Sequence, residues 1–482
     1  MKMKYRILYL LLAVPLLAGC YQDDSTLADK TIQRIEVTTP RDTLNIYLGD
    51  DIVVSPEIMA ANTDVTYQWS IGKYEKRAYD DLEQTKFKDV SSEKDLRYRP
   101  DDLGHYHLRL RATNEYGSTI KYFHVFVNTE FEEGYLILGR QDDGHGSLSF
   151  MKFLTPEDIA VGVKPHFKTD CFAYVNGDRK IGLDPVDCYK VASSIYITCG
   201  QGQRVHQINY KSFQEEYAYD MKTFGSDFVP VKMLAYDSNY NRNLYVFGTD
   251  GRTADIQTQY FEVFAWSEVP QDMGFDLVYS RPSYYSSKVI LLAKKDEGIL
   301  YANGFDANEF SFGYFDCYGY FAGNRIIKMF SDYDENVLVY HTDGTNYTLT
   351  TVMRSITDFN TMAIRILAER KITDRGILTS DSEILVNDAT NGLFFYRDNK
   401  VYRWIYGQND MPQNVFITLP EGEVITAINQ NTDHSQLYIG TYNASRTGLK
   451  GSFYVYNPDT GAKIEAWEGV SDKPVTVLLK GR

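Results

Sequence analysis

Between residues 134 and 456 the chain repeats one arrangement of apolar and polar positions: a short run in which Leu, Ile or Val flanks an aromatic residue, a polar turn, and an amphipathic partner run. The pairs are 134–139 with 147–153, 194–198 with 205–210, 243–247 with 260–266, and 298–301 with 310–315. They continue with 336–340 and 347–352, 392–396 and 400–405, and 436–440 and 452–456. Runs this short, rich in Tyr, Ile and Val and bounded by Gly, Asn and Asp, read as β-strands. A recurrence of about fifty residues falls in the range of propeller blades, so residues 130–482 are expected to form a seven-bladed β-propeller. Some units open with a further apolar strand, as at 289–292 and 424–428, and 463–467 supplies an outer strand after the turn at 457–461. Residues 473–479 are too few for a blade and are expected to complete the first one beside 135–138. A pair of packed β-domains is the competing architecture, and the even recurrence argues against it.

The region before residue 130 alternates differently. Strands are expected at 32–37, 44–48, 52–54, 65–70, 104–114 and 120–127, with a turn at 49–51. Six or seven strands in about a hundred residues, one carrying Trp69, predict a β-sandwich over 32–129. Apolar spacing of three and four is scarce, the best stretch being 360–370, so the chain reads as all-β.

Within 104–117, Gly104, Tyr106, Thr113, Asn114 and Gly117 resemble the signature of immunoglobulin-like domains of the polycystic-kidney-disease (PKD) type. The resemblance implies that Tyr106 is a corner tyrosine and Trp69 the core tryptophan, both structural.

The first twenty residues have the layout of a secretory signal. Lys2, Lys4 and Arg6 precede an apolar run from 7 to 18 that is too short to span a bilayer permanently, and Gly19 and Cys20 follow. An ordinary signal peptide that happens to hold a cysteine is the alternative. Leu17, Ala18, Gly19 and Cys20 resemble a bacterial lipobox, which implies cleavage after residue 19 and a diacylglycerol on Cys20. Residues 20–31 then form a polar tether. Asp23 and Asp24 are similar to the acidic export signal that places lipoproteins of Bacteroides-type anaerobes on the outer face of the outer membrane. Domain order and lipobox together resemble a PKD-like family of surface lipoproteins. That resemblance implies a TonB-dependent importer and its lipoprotein lid as partners.

Composition narrows the picture further. The formal charge of −15 becomes −18 once residues 1–19 are removed, and such a surface repels nucleic acid. Tyrosine is abundant, at 39 residues, which suits both strands and binding surfaces. Cys171, Cys188, Cys199 and Cys317 show no C-x-x-C spacing, and Cys171 with Cys188 is the nearest plausible disulfide pair. His105 and His107 share one side of a strand, the spacing of two metal ligands, but solvated strand positions are the reading adopted and no metal or cofactor is expected. Catalytic signatures such as His-Glu-x-x-His, Gly-x-Ser-x-Gly and the phosphate loop do not occur. A carboxylate pair brought together only by folding remains open. Trp266, Tyr284, Tyr285, Tyr318, Tyr320 and Trp404 stand beside turn residues, where exposed rings would stack on sugars or grip peptide side chains; the alternative is that they plug the channel or pack blade on blade.

These readings lead to a non-enzymatic accessory of a nutrient importer, capturing or presenting oligopeptides or glycans. The alternatives are a surface hydrolase or lyase with a site in the propeller channel, and a purely structural importer subunit.

Overall fold

The structure, a computed structural model, describes residues 34–60, 64–74, 85–235, 243–265, 271–281, 289–306, 311–316, 319–334, 336–353, 365–374 and 376–481. The chain divides into two compact units that part near residue 128.

In the N-terminal unit, the strands run Thr43–Tyr47, Gly117–Asn128, Gly104–Asn114, Thr66–Lys73 and Lys88–Ser91 across one sheet. Two smaller sheets pair Glu36–Thr38 with Glu57–Met59 and Ile52–Val54 with Leu96–Tyr98. Strict alternation sends Leu108, Leu110 and Ala112, and on the neighbouring strand Phe123, Val125 and Val127, to the buried side. Trp69 is fully buried; its ring lies 5.7 Å from Phe123 and its Nε1 donates to the Glu93 carbonyl at 3.0 Å. The Tyr106 hydroxyl donates to the Asp102 carbonyl, four residues upstream, at 2.8 Å. That hydrogen bond has the geometry of a tyrosine corner, in which a hydroxyl reaches back to the backbone a few residues upstream.

Among the described residues, the second unit contains seven four-stranded antiparallel sheets in chain order. The second strand of each sheet is the apolar one: Gly134–Arg140, Ser194–Cys199, Asn243–Gly248, Val289–Lys294, Val337–Thr342, Gly392–Arg397 and Leu437–Tyr442. Successive side chains on such a strand point to opposite faces, so each strand serves two cores. Leu136 and Leu138 pack with Ile195 and Ile197 of the second sheet, while Tyr135 and Ile137 turn the other way, to Tyr438 and Phe453 of the seventh. The same division recurs further on: Leu291 packs with Val339, Leu338 with Leu393, and Phe394 with Leu437. Every neighbouring pair of sheets shares a core, and the seventh shares one with the first. Both faces of these strands are buried, which explains their near-continuous apolar sequence.

Lys473–Lys480 joins the first sheet, pairing antiparallel with Gly134–Arg140 so that Leu479 faces Tyr135 and Val477 faces Ile137. Two sequence expectations need correction. Asn243–Gly248 pairs with Thr253–Gln257, and the run beginning near 260 is the outer strand Glu262–Ala265, because a tight turn at 249–252 leaves room for an additional strand between them. In the fourth sheet Ile299–Asp306 is third in order, since Val289–Lys294 takes the central apolar place. The stretch with the best helical spacing is, from Arg365 to Ile372, a strand paired with Tyr347–Met353, in keeping with the all-β reading.

Cys171, Cys188 and Cys199 are buried free thiols, so Cys171 and Cys188 form no disulfide, and burial pushes the Cys171 and Cys199 thiols up to about 12. No helix among the described residues is long and apolar enough to cross a membrane.

Candidate functional site

In each sheet one edge strand faces a shared cavity and is its innermost strand: Lys473–Lys480 in the first sheet, and in the others the strand that comes first along the chain. In five of them the register with the neighbouring strand shifts at an equivalent point: at Pro185/Asp187, Pro230/Lys232, Ile326/Lys328, Ile425/Ala427 and Pro474/Thr476. A β-bulge re-aims the residue that follows it. The residues that follow are Asp187, Lys232, Lys328, Ala427 and Thr476, and all of them line one cavity of about 690 Å³. Tyr279 of the fourth sheet and Glu383, just before the first strand of the sixth, also line it, so all seven sheets contribute. This is the size and the convergent setting expected of a ligand site.

The lining carries both signs of charge. Asp187 is nearly buried; its Oδ1 accepts from its neighbour's amide at Cys188 (2.9 Å) and its Oδ2 accepts from the Met233 amide (3.1 Å) in the adjoining sheet. The Lys232 ammonium lies 3.7 Å from the same Oδ2, and this carboxylate holds the lysine pKa above its ordinary value. Lys328 differs. Burial lowers its amine to about 8, with Asp381 and Glu383 partly offsetting the shift, and its Nζ donates to the Ser380 carbonyl. Glu383 accepts from the Tyr396 hydroxyl at 3.0 Å, and burial together with that carboxylate pushes the phenol upward.

Side-chain amides fasten the wall. Asn387 Nδ2 donates to Gln430 Oε1 at 3.0 Å, Gln430 Nε2 to the Val386 carbonyl at 2.7 Å, and Asn429 Nδ2 to the Val477 carbonyl at 2.8 Å. These bonds tie the innermost strands of the sixth, seventh and first sheets together. The result is a preformed, polar-lined concavity, with two lysines and several carboxylates held by backbone and side-chain partners.

Of the six rings expected to contact ligand, Trp266, Tyr284, Tyr285 and Tyr318 lie outside the described residues, as does Cys20. Tyr320 is 39% exposed; its hydroxyl donates to Glu369 on the outer strand of the fifth sheet at 2.7 Å, and burial with that carboxylate pushes the phenol up to about 12. Trp404 corrects the expectation. It is 1% exposed, in the core between the fifth and sixth sheets, with its ring 5.7 Å from Tyr340. Its neighbours are the buried faces of two sheets, so it packs and does not present a surface. Neither ring lines the cavity.

The sequence reading missed Asp187, Lys232 and Lys328. A signal was present: Pro185-Val186-Asp187, Pro230-Val231-Lys232 and Pro474-Val475-Thr476 repeat Pro-Val before a polar residue. Proline suits the first position of a strand or a bulge, where no ladder donor is needed.

With sheets, cores and cavity in place, the chain is an all-β protein of β-propeller type, and a solved structure agrees. The chain is similar to a quinoprotein alcohol dehydrogenase-like protein from Bacteroides thetaiotaomicron, with a TM-score of 0.53 and 15% identity over 92% of this chain and 99% of that one. Weaker likenesses include a dihydro-heme d1 dehydrogenase, at TM-score 0.41 and 10% identity over 74% of this chain and 76% of that one. Another is AztD from Citrobacter koseri, at TM-score 0.36 and 10% identity over 86% and 98%. At 15% identity the first likeness bears on fold alone, and the two weaker ones carry no argument. No family model and no curated protein matches the chain.

Proposed function

We propose that the seven sheets are the blades of a closed propeller, that the N-terminal unit is a PKD-type immunoglobulin-like sandwich, and that the whole is a surface lipoprotein held by Cys20. In this reading the protein serves a TonB-dependent importer and its lipoprotein lid without catalysing a reaction. The propeller cavity captures the nutrient oligomer, the tether sets its height above the outer membrane, and nearness to the importer raises the local ligand concentration.

The observation that carries this reading is the mixed-charge lining of the cavity. Lys232 and Lys328 suit a carboxylate, and Glu383 and Asp381 suit an ammonium or a basic side chain. An oligopeptide offers both groups in one molecule, and a neutral glycan offers neither. Charge complementarity of this kind sets orientation and selectivity. Oligopeptides are therefore the ligand class favoured over glycans. The N-terminal layout of residues 1–24 supports export and lipidation.

A surface hydrolase or lyase is the second reading, and Lys328 is what favours it, because an amine lowered to about 8 beside carboxylates is suited to proton transfer. The test is to incubate the chain from residue 21 onward with a mixture of oligopeptides and oligosaccharides. Retention of intact peptides supports capture; turnover supports the second reading. Copurification with an importer without any ligand binding leaves only a structural subunit.

A further inference from the structure

The outward face of the sheet in the N-terminal unit carries an arrangement that the importer reading does not use. His105 and His107 alternate on the strand Gly104–Asn114, and His124 on Gly117–Asn128 stands directly opposite His107 in antiparallel register. Residues two apart share a face, and directly opposed residues bring their Cβ atoms close, so three imidazoles converge. Their ring centroids lie 5.4, 5.4 and 5.2 Å apart, and one nitrogen from each comes within 4.8 Å of the other two. His105 Nε2 and His124 Nδ1 are already 3.2 Å apart. Four ligands placed tetrahedrally at the usual zinc–nitrogen distance of about 2.0–2.1 Å sit about 3.3 Å from one another. One pair has that separation, and modest ring rotations bring in the third.

We propose that His105, His107 and His124 form a binding site for one divalent transition-metal ion of the zinc type, with a fourth coordination position open to water or an exogenous ligand. Imidazole donors suit Zn²⁺, Cu²⁺ and Ni²⁺ and do not suit Ca²⁺ or Mg²⁺, which take oxygen. Three protein ligands are the number that leaves a position vacant.

The site is braced. Both strands belong to an uninterrupted pairing that runs from Gly104 opposite Val127 to Asn114 opposite Gly117. The His124 amide donates to the Asp42 carbonyl at 2.8 Å, and the Tyr74 amide donates to the His105 carbonyl at 2.8 Å. Phe126 stacks on His105 at 4.3 Å and 11°, and Tyr74 stacks on His107 at 5.2 Å and 13°. Burial is graded from His107, which is 5% exposed, through the half-buried His105 to the exposed His124, so an ion enters from the His124 side. Ligands on rigid strands with orienting neighbours lose little freedom on binding.

The test uses the full chain, stripped of metal with a chelator and dialysed against Zn²⁺, with bound metal counted by mass spectrometry. One equivalent is expected. His124→Ala, at an exposed position where the fold tolerates the change, is expected to weaken Zn²⁺ binding by about a hundredfold or more, and His107→Gln likewise. Co²⁺ in place of Zn²⁺ gives a second readout, the visible absorption bands of a four-coordinate centre, present in the native chain and lost in His124→Ala. No bound Zn²⁺, or binding that both substitutions leave unchanged, overturns the proposal.

Discussion

Leu479 stands directly opposite Tyr135, so the last strand of the chain is the innermost strand of the first sheet. The sheet that opens the second unit is completed by the residues that end it. Its stability therefore depends on a contact between segments more than three hundred residues apart.

Val477 is fully buried where the first and seventh sheets share their core. Val477→Ala is expected to cost about 1–3 kcal/mol, and Val477→Asp more, because a carboxylate would then be buried without a partner. Urea unfolding of the native and substituted chains checks this. If the seven sheets close into the proposed ring, loss at Val477 lowers the transition of the whole second unit and does not merely fray its end.

Asp187 bridges the second and third sheets through the Met233 amide and the Lys232 ammonium. Asp187→Ala leaves two backbone donors without their acceptor, at about 1–3 kcal/mol each by the usual desolvation penalty. Half of the Lys232 side chain is open to solvent, so the ion pair adds little to that figure. Asp187→Asn retains an acceptor and should be milder. Thermal melts of both variants distinguish the two effects.

Lys328 gives stability a pH dependence with a definite sign. Its amine is lowered from 10.5 to about 8 in the folded chain, so between those values the unfolded chain binds a proton that the folded chain does not. Stability from this group therefore rises with pH from about 8 to about 10.5, and below 8 the penalty of a buried ammonium is present in full. Lys328→Met is expected to raise the melting temperature at pH 7, with the advantage shrinking as pH approaches 10. An advantage that stays constant with pH would sink this account of Lys328.

Trp404 and Tyr320 should part company under substitution. Trp404→Ala removes a fully buried ring and is expected to cost about 3–5 kcal/mol of stability. Tyr320→Phe removes one hydroxyl bond to Glu369 on a partly exposed residue and should cost about 1 kcal/mol or less. Chemical denaturation of the two variants measures both.

The apolar runs showed most of the fold because strands buried on both faces must be apolar along their length, and the pairings beginning at 134, 194, 337, 392 and 437 follow them. Where two apolar strands adjoin, as at 289–294 and 299–306, pattern alone did not tell which is central; packing against both neighbours decides it. Trp69 and Tyr106 were legible because a buried ring and a corner hydroxyl leave a local motif. The cavity was not. Asp187, Lys232 and Lys328 lie far apart in sequence, and only bulges at matched places on separate sheets bring them together. The histidines were half legible: alternation showed that His105 and His107 share a face, but the register that sets His124 against His107 is a property of the folded sheet.

The central claim is that the mixed-charge cavity takes an oligopeptide. Its most direct test is calorimetric titration of the chain from residue 21 with a zwitterionic oligopeptide and, separately, a neutral oligosaccharide, in the native form and in the Lys232→Met, Lys328→Met double variant. The account predicts that the peptide binds and the sugar does not, and that the double substitution weakens peptide binding by at least about tenfold while circular dichroism stays native. Peptide binding that the double substitution leaves unchanged, or binding of the neutral sugar alone, would contradict it.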